Sequence, residues 1–531
     1  MDFSALIADT MAEYQRGMAP GMRYGDPLGK AGINVATGLI GYDLEKPPIE
    51  AYPALAPIVK EIPRVGLESS GTGMFGVAVH AHVITNINTG GIIGVVSEGN
   101  RGAAISRTEV DQTFTFKGLG LEDYVTAEAQ YSALGYDDLL ALAQKELLQA
   151  LMVEEEKMCL LGNLSLAGGT TPTPIVSTTG SGGAFVSGSA YVYVTALTPL
   201  GLFLAGGPAS PTAAVLAQAV VDTQAQVSAG PYANTDTILG GHNIMSTVSG
   251  LAVAVSSSIV VSLSGGAGVA GAAAYAWYVG QTTGAGSAYL AAITTTPVAT
   301  FTAAGNSSNQ ASNYTGYNSD RWKNALGYDG LIYQALECSG YGTGGIFNPL
   351  SSPGNLTPGK AYARSLNGAA LTGTAGVVNE IDSALLDMWD VYRLWPDEIW
   401  VSARQAQKLS NLALASAAPL YQIQVADKQG MVIAGNLVVG YINKFSPNAN
   451  QPLPIRIHPY MPDGWIFFNT KTLAGKYPTA TLGDVSRIVT RRDYYSVPWP
   501  LISRKNEYGM YADETLVVRA PFALGLLQDV G

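Results

Sequence analysis

Gly71-Thr72-Gly73-Met74-Phe75-Gly76 has the G-x-G-x-x-G spacing of a dinucleotide loop. Such a loop works between a strand and a helix, whose N-terminus meets the pyrophosphate. Here the residues that follow alternate with period two, so a strand comes after the glycines and the nucleotide reading fails. His80 and His82 share one face of that strand, a spacing some metal sites use. Zinc takes three or four ligands, and His242 and His458 fall in other segments, so the pair reads as two solvated histidines. Glu154-Glu155-Glu156 could supply carboxylates for acid–base work. Consecutive helical residues point about 100° apart, however, and the run is expected to be a solvated helix face. Arg487, Arg491, Arg492, Arg504 and Lys505 cluster late in the chain beside Asp484, Asp493 and Glu507, and read as inter-subunit ion pairs. Cys159 and Cys338 could form one bridge at most, and neither sits in a C-x-x-C pair. No constellation rises to an enzyme, and no cofactor or metal site is expected.

The elements that would hold these residues can be traced along the chain. Residues 1–70 contain Pro47, Pro48, Pro53, Pro57 and Pro63, spaced too closely for a helix or a central strand. Tyr52, Leu55, Ile58, Val59 and Ile62 are too apolar for a solvated linker, so an extended, docked arm is expected. From Phe75 to Ile87, Val77, Val79, Ala81 and Val83 lie on one side and His80 and His82 on the other. A Gly-rich turn follows, and a return strand carries Phe114 and Phe116. The result is a long β-hairpin with Glu98, Asn100 and Arg101 at its tip. A two-stranded ribbon is marginal alone in water, so it must lean on another surface.

Asp137 or Asp138 can cap a helix running to about Leu161, with Leu140, Ala143, Leu147, Leu151 and Met158 on one face. Between Cys159 and Ser319 the only charged residues are Asp222 and Asp236. That stretch is rich in Val, Tyr, Ala, Thr, Ser and Gly, the composition of strands and tight turns rather than of a disordered spacer. Two similar strand cores, Ala190 to Thr195 and Ala274 to Val279, suit either two small sandwiches or two parts of one. Charge returns at Asp320-Arg321. A helix is expected over Val377 to Tyr392, a strand over Glu398 to Val401, and a helix after Ser402 with Gln405 completing a capping box. Leu437 to Ile442, Pro454 to His458, Trp465 to Phe468 and Thr515 to Ala520 read as strands, which makes the body α+β.

Composition narrows the function classes. Charged residues are 13% of the 531, well below the usual quarter, so much of the surface is expected to meet partners. A net charge of −11 argues against gripping nucleic acid through its phosphates. Neither a secretory signal nor an apolar run of membrane-spanning length is visible, so a soluble, intracellular chain is expected.

Several stretches are specific in combination: Tyr52-Pro53-Ala54-Leu55-Ala56-Pro57 with Ile62-Pro63-Arg64-Val65, and Val96-Ser97-Glu98-Gly99-Asn100-Arg101-Gly102 at the hairpin tip. Lys117 to Thr126, Leu161-Gly162-Asn163, Met461-Pro462-Asp463-Gly464 and Glu514 to Pro521 complete the set. Together they resemble the major capsid proteins of tailed double-stranded-DNA bacteriophages. The resemblance covers about residues 40–165 and 324–531, not the uncharged insert.

It implies a Hong Kong 97-type α+β fold: an N-terminal arm over 1–70, an extended hairpin loop over 71–135, and a spine helix over 136–164. An axial domain with connecting strands would occupy 324–504, with a closing strand of the peripheral domain over 505–531. The insert, 165–323, would be an immunoglobulin- or fibronectin-like sandwich displayed outside. The implied function is an icosahedral shell of pentamers and hexamers enclosing phage DNA without reading its sequence. Separate scaffolding and portal proteins, and a decoration protein or host-surface glycan at the insert, are the implied partners; no membrane is involved. Glu98, Arg101, Arg107 and Glu109 are the candidate inter-subunit contacts. Lys117, the only hairpin lysine, lies near the base, so the Lys–Asn cross-link of some relatives is not expected. The rival reading is a surface or secreted protein holding carbohydrate on Tyr275, Trp277 and Tyr278.

Overall fold

The computed structural model describes residues 56–66, 76–86, 95–101, 108–133, 138–204, 240–263, 268–305, 310–311, 319–340, 356–373, 377–416, 438, 440–446, 452–476, 483–501 and 503–531. These lie in one compact unit, Leu55–Gly531. Most of the expected arm, most of the glycine motif and Arg107 lie outside the described residues.

A four-stranded sheet has the order β1 (Arg64–Gly66), β17 (Ser486–Pro498), β18 (Lys505–Val518), β4 (Lys117–Thr126). β1 runs parallel to β17, and the other neighbours are antiparallel. Arg487, Arg491 and Arg492 of the charge cluster therefore belong to a strand, with Ile488 and Val489 buried and Arg491 and Arg492 exposed. Their pairs are within the chain: Arg491–Asp513 at 2.9 Å, Arg504–Glu128 at 3.1 Å, Lys505–Glu507 at 3.5 Å. The inter-subunit assignment of these three is corrected.

Packed on this sheet is α3 (Leu139–Leu161), capped as expected by Asp138, whose Oδ1 accepts from Ala141 N at 3.3 Å. Leu147 packs with Val125 of β4 and Tyr508 of β18. Thr126 caps the short α2 (Ala127–Ser132) between them. Gly162 ends α3 where the chain has no room for a side chain: a Cβ there would sit 2.2 Å from the Tyr328 carbonyl oxygen. Gly162→Ala is expected to cost about 1–3 kcal/mol through that clash, read as a lowered urea midpoint.

The second body sheet is six-stranded and mixed: β12 (Tyr362–Ser365), β19 (Gly525–Gln528), β16 (Ile466–Asn469), β13 (Glu398–Val401), β15 (Pro452–Ile457), β14 (Gly440–Ile442). Strands β13, β16 and β19 are buried at every position, including the polar Glu398, Asn469 and Gln528 at their ends. The helices α5 (Leu331–Ser339), α6 (Asn379–Tyr392) and α7 (Ala403–Ser416) accompany it. Ile381, Leu385, Met388 and Tyr392 are buried, the α6 face expected from the sequence. At α7 only half of the capping box forms: Ser402 Oγ accepts from Gln405 N at 3.1 Å, while the Gln405 amide makes no hydrogen bond. The last 27 residues serve both sheets, through β18 and β19, rather than closing one.

The ribbon pairs β2 (Ala78–Asn86) with β3 (Thr108–Thr115) antiparallel. Ala81, Val83 and Phe114 pack on Val489 of β17 and Val517 of β18, so its base leans on its own chain. His80 and His82 are exposed, as expected.

The uncharged stretch forms two facing sheets. One has the order β10 (Ala288–Thr294), β9 (Ala274–Gly280), β6 (Gly188–Leu197), β7 (Ser249–Val253); the other β11 (Val298–Phe301), β8 (Ser257–Leu263), β5 (Pro174–Phe185). The two similar strand cores are neighbours, Val194 opposite Trp277, so they belong to one sandwich. A short α4 (Pro199–Leu204) follows β6. Entry and exit lie together: Asn324 N donates to the Asn163 carbonyl at 2.8 Å, and Asp329 Oδ1 accepts from Leu164 N at 2.6 Å. Tyr275, Trp277 and Tyr278 are all fully buried, which removes them as carbohydrate platforms. No helix among the described residues is long and apolar enough to cross a membrane.

Candidate functional site

Residues 57–66 are held to the body by three clusters of charged and polar side chains. Pro57 opens α1 (Pro57–Glu61), a single turn whose first position suits a residue without an N–H. The prolines thus admit a helical turn, which corrects the expectation of no helix, while β1 lies at a sheet edge, in keeping with the expectation of no central strand. Ile58, Val59 and Ile62 are buried, so this part of the arm is docked, but on its own chain.

Glu156 of α3 forms the first cluster. Its two oxygens accept from Ile58 N at 2.9 Å and Val59 N at 2.8 Å, satisfying donors that a helix start leaves open. His458 Nε2 lies 2.6 Å from the same carboxylate, while Nδ1 accepts from Tyr460 N at 3.1 Å. That second bond fixes the proton on Nε2, which donates to Glu156. At the other end of α1, Glu61 pairs with Arg456 and, at 2.6 Å, with Lys471. Both cations also reach the buried Glu398, at 3.1 and 2.9 Å.

Arg64 of β1 centres the third cluster. Its guanidinium bonds Glu155 of α3, Glu514 of β18 at 3.0 Å and Asp493 of β17 at 2.8 Å, and lies 4.6 Å from the Tyr494 ring centroid. Tyr494 donates its hydroxyl to Glu155, and Tyr328 donates to Glu514 at 2.8 Å. Burial opposes the Arg64 charge, but Glu155 and Glu514 outweigh it and raise the pKa. Burial, and then the neighbouring Glu155, push the Glu514 carboxyl up to about 8. Burial likewise raises the Cys159 thiol and the Tyr328 and Tyr494 hydroxyls.

Glu155, Cys159 and Glu514 bring potential metal-ligating atoms within 4.8 Å of one another. Arg64 already engages both carboxylates, and the thiol is held protonated, so the trio is a structural ion cluster rather than a metal centre. Cys159 and Cys338 are both free thiols.

The sequence reading missed this site: it placed Glu155 and Glu156 on a solvated face, and both are fully buried. A signal was present. Glu155 has Leu151 and Cys159 four residues away on either side, and Glu156 has Met152 and Leu160. Carboxylates flanked that way on a helix face lie among apolar neighbours. Glu154, by contrast, is exposed as expected.

Of the four predicted contact residues, the three that are described, Glu98, Arg101 and Glu109, are not brought to this site. Glu98 and Arg101 stand exposed on the turn in which Asn100 N donates to the Ser97 carbonyl, with Gly99 at φ +87°. Glu109 is exposed on β3, opposite Ile84.

No protein-family model matches the sequence, and no curated protein matches it. Among solved structures the chain is similar to the capsid of a native GTA particle, at 8% identity and TM-score 0.39, over 93% of this chain and 96% of that one. It is similar to the cyanophage A-1(L) capsid at 8% identity and TM-score 0.39, over 93% and 98%. A protein of Mycobacterium phage Cain is similar at 9% identity and TM-score 0.36, over 94% and 98%.

Proposed function

We propose that the chain is the structural subunit of a closed shell of the tailed-phage type, found in the virion and assembled in the host cytoplasm. One observation carries this reading. The ribbon and its described tip leave Val77 75% exposed, Val95 86% and Val110 50%, on an element of only two strands. Apolar surface on a marginal ribbon favours a partner, and in a shell the neighbouring copy supplies it. Symmetry then multiplies modest contacts into a stable container.

In this reading α3 is the spine of the peripheral domain and the six-stranded sheet belongs to the axial domain. The sandwich is an immunoglobulin-like insertion on the exterior, where a decoration protein or host glycan would meet it. Scaffolding and portal proteins would be separate chains, and DNA would be confined rather than gripped. Glu98, Arg101, Arg107 and Glu109 set register with the neighbour through complementary charge.

Negative-stain microscopy of the purified chain tests the reading: closed particles are expected, varied in size without a scaffolding protein, and a persistent monomer at high concentration rejects it. Arg101→Glu is expected to lower particle yield severalfold while leaving the melting of the unassembled chain unchanged. Normal yield would remove Arg101 from the contact.

A further inference from the structure

The Arg64 cluster holds more buried negative charge than positive. Glu155 and Glu514 are both fully buried, and one guanidinium serves them. Every element packed around Glu514 can be accounted for. β1 contributes Arg64; α3 contributes Glu155 and the neutral Cys159; the segment before α5 contributes the Tyr328 hydroxyl. From β17 come Tyr494 and, at the exposed edge, a third carboxylate, Asp493. Lys117 of β4 stands opposite Glu514 in register, but its Nζ donates to the Ala325 carbonyl at 2.6 Å. Two buried carboxylates facing one cation leave a charge uncompensated unless a proton neutralises it.

We propose that the Glu155–Glu514 pair carries one proton while residues 57–66 are clasped, and that its loss in alkaline medium loosens the strap. The chemistry is a single acid dissociation: one carboxyl O–H bond breaks and hydroxide or buffer base takes the proton. The strap then lies beside two repelling carboxylates that Arg64 alone must hold.

The sign follows from linkage. A carboxyl pushed up to about 8 from an ordinary 4.5 binds its proton more tightly in the clasped state. Its contribution is complete below about 4.5 and is lost as pH rises through about 8. Between pH 7 and 9 the clasped-to-released ratio should fall about tenfold. All contacts are within one chain, so the inference stands or falls independently of shell formation.

Hydrogen exchange of the full chain, read across residues 57–66 and corrected for base catalysis, tests it. Protection should drop about tenfold between pH 7 and 9, and Glu514→Gln, permanently neutral, should flatten the profile. Equal slopes in the two proteins, or no slope in either, would overturn the latch. An infrared titration supplies a second readout that needs no variant in the cluster. It is run on Asp529→Asn, because burial pushes Asp529, at the seam with the insert, up to about 7. A protonated-carboxyl band lost near pH 8 supports the proposal, and its absence refutes it even if Glu514→Gln does not fold.

Discussion

Arg64→Ala is expected to lower stability by about 3–5 kcal/mol, the range for breaking a buried ion pair by removing one partner. The guanidinium is mostly buried and bonds two carboxylates that have no exposure of their own. Truncation leaves both facing each other without a counter-charge, while Tyr494 and Tyr328 continue to donate to them. It also removes a cation from the Tyr494 ring and a neighbour of Asp493. Arg64→Lys should recover only part of the loss, since a point charge on a flexible stem cannot reach both carboxylates with the guanidinium's planar fork. The penalty should shrink in acid, where protons replace the missing cation. Urea melts at pH 5 and pH 8 read both effects. A loss below about 1 kcal/mol, the range of surface pairs, would mean that the cluster is solvated.

That cluster also marks where sequence reasoning stopped. Elements defined by local pattern were legible: the ribbon alternation, the Asp138 cap, the α6 face at Ile381, Leu385, Met388 and Tyr392. Each depends on neighbours within a few residues, and so does the hydrophobic period that reveals it. Strand β17 was not, because Arg487, Arg491 and Arg492 suggested a charge cluster; strand pairing with β18 and β1 decided otherwise. The clasp was least legible. Arg64 stands 91 positions from Glu155, 429 from Asp493 and 450 from Glu514, and only the sheet order β1-β17-β18 with α3 beneath it brings them together. A helix face with Leu151 and Cys159 around Glu155 hinted at burial, but nothing local names the cation that compensates it. The seven strands of the insert contain no charged residue, and for them composition alone indicated β structure. It could not distinguish one sandwich from two, because that depends on whether β6 and β9 are hydrogen-bonded neighbours.

Trp277→Ala is expected to cost about 3–5 kcal/mol, the range for deleting a large aromatic from a core. The ring packs in the sandwich interior with Val194, Ile259 and Phe301, and its Nε1 donates to Thr294 Oγ1 at 2.8 Å. The more telling expectation concerns cooperativity. Alternate residues of β9 serve different cores: Tyr275, Trp277 and Val279 face the sandwich, while Ala274, Ala276 and Tyr278 join the body cluster with Leu331 and Tyr333. The turn before β9 is tied to the chain's last strand, Gly271 N donating to Gln528 Oε1 at 3.0 Å and Gln528 Nε2 to the Val269 carbonyl at 2.8 Å. A sheet buried on both faces cannot melt away from either neighbour without exposing the other, so calorimetry should show one transition in wild type and variant alike. By the same argument an isolated 165–323 fragment would expose Tyr193, Leu197, Ala276 and Tyr278 and should not fold stably alone. Two separate calorimetric transitions, with only the lower one displaced by Trp277→Ala, would show instead that the sandwich is an autonomous domain.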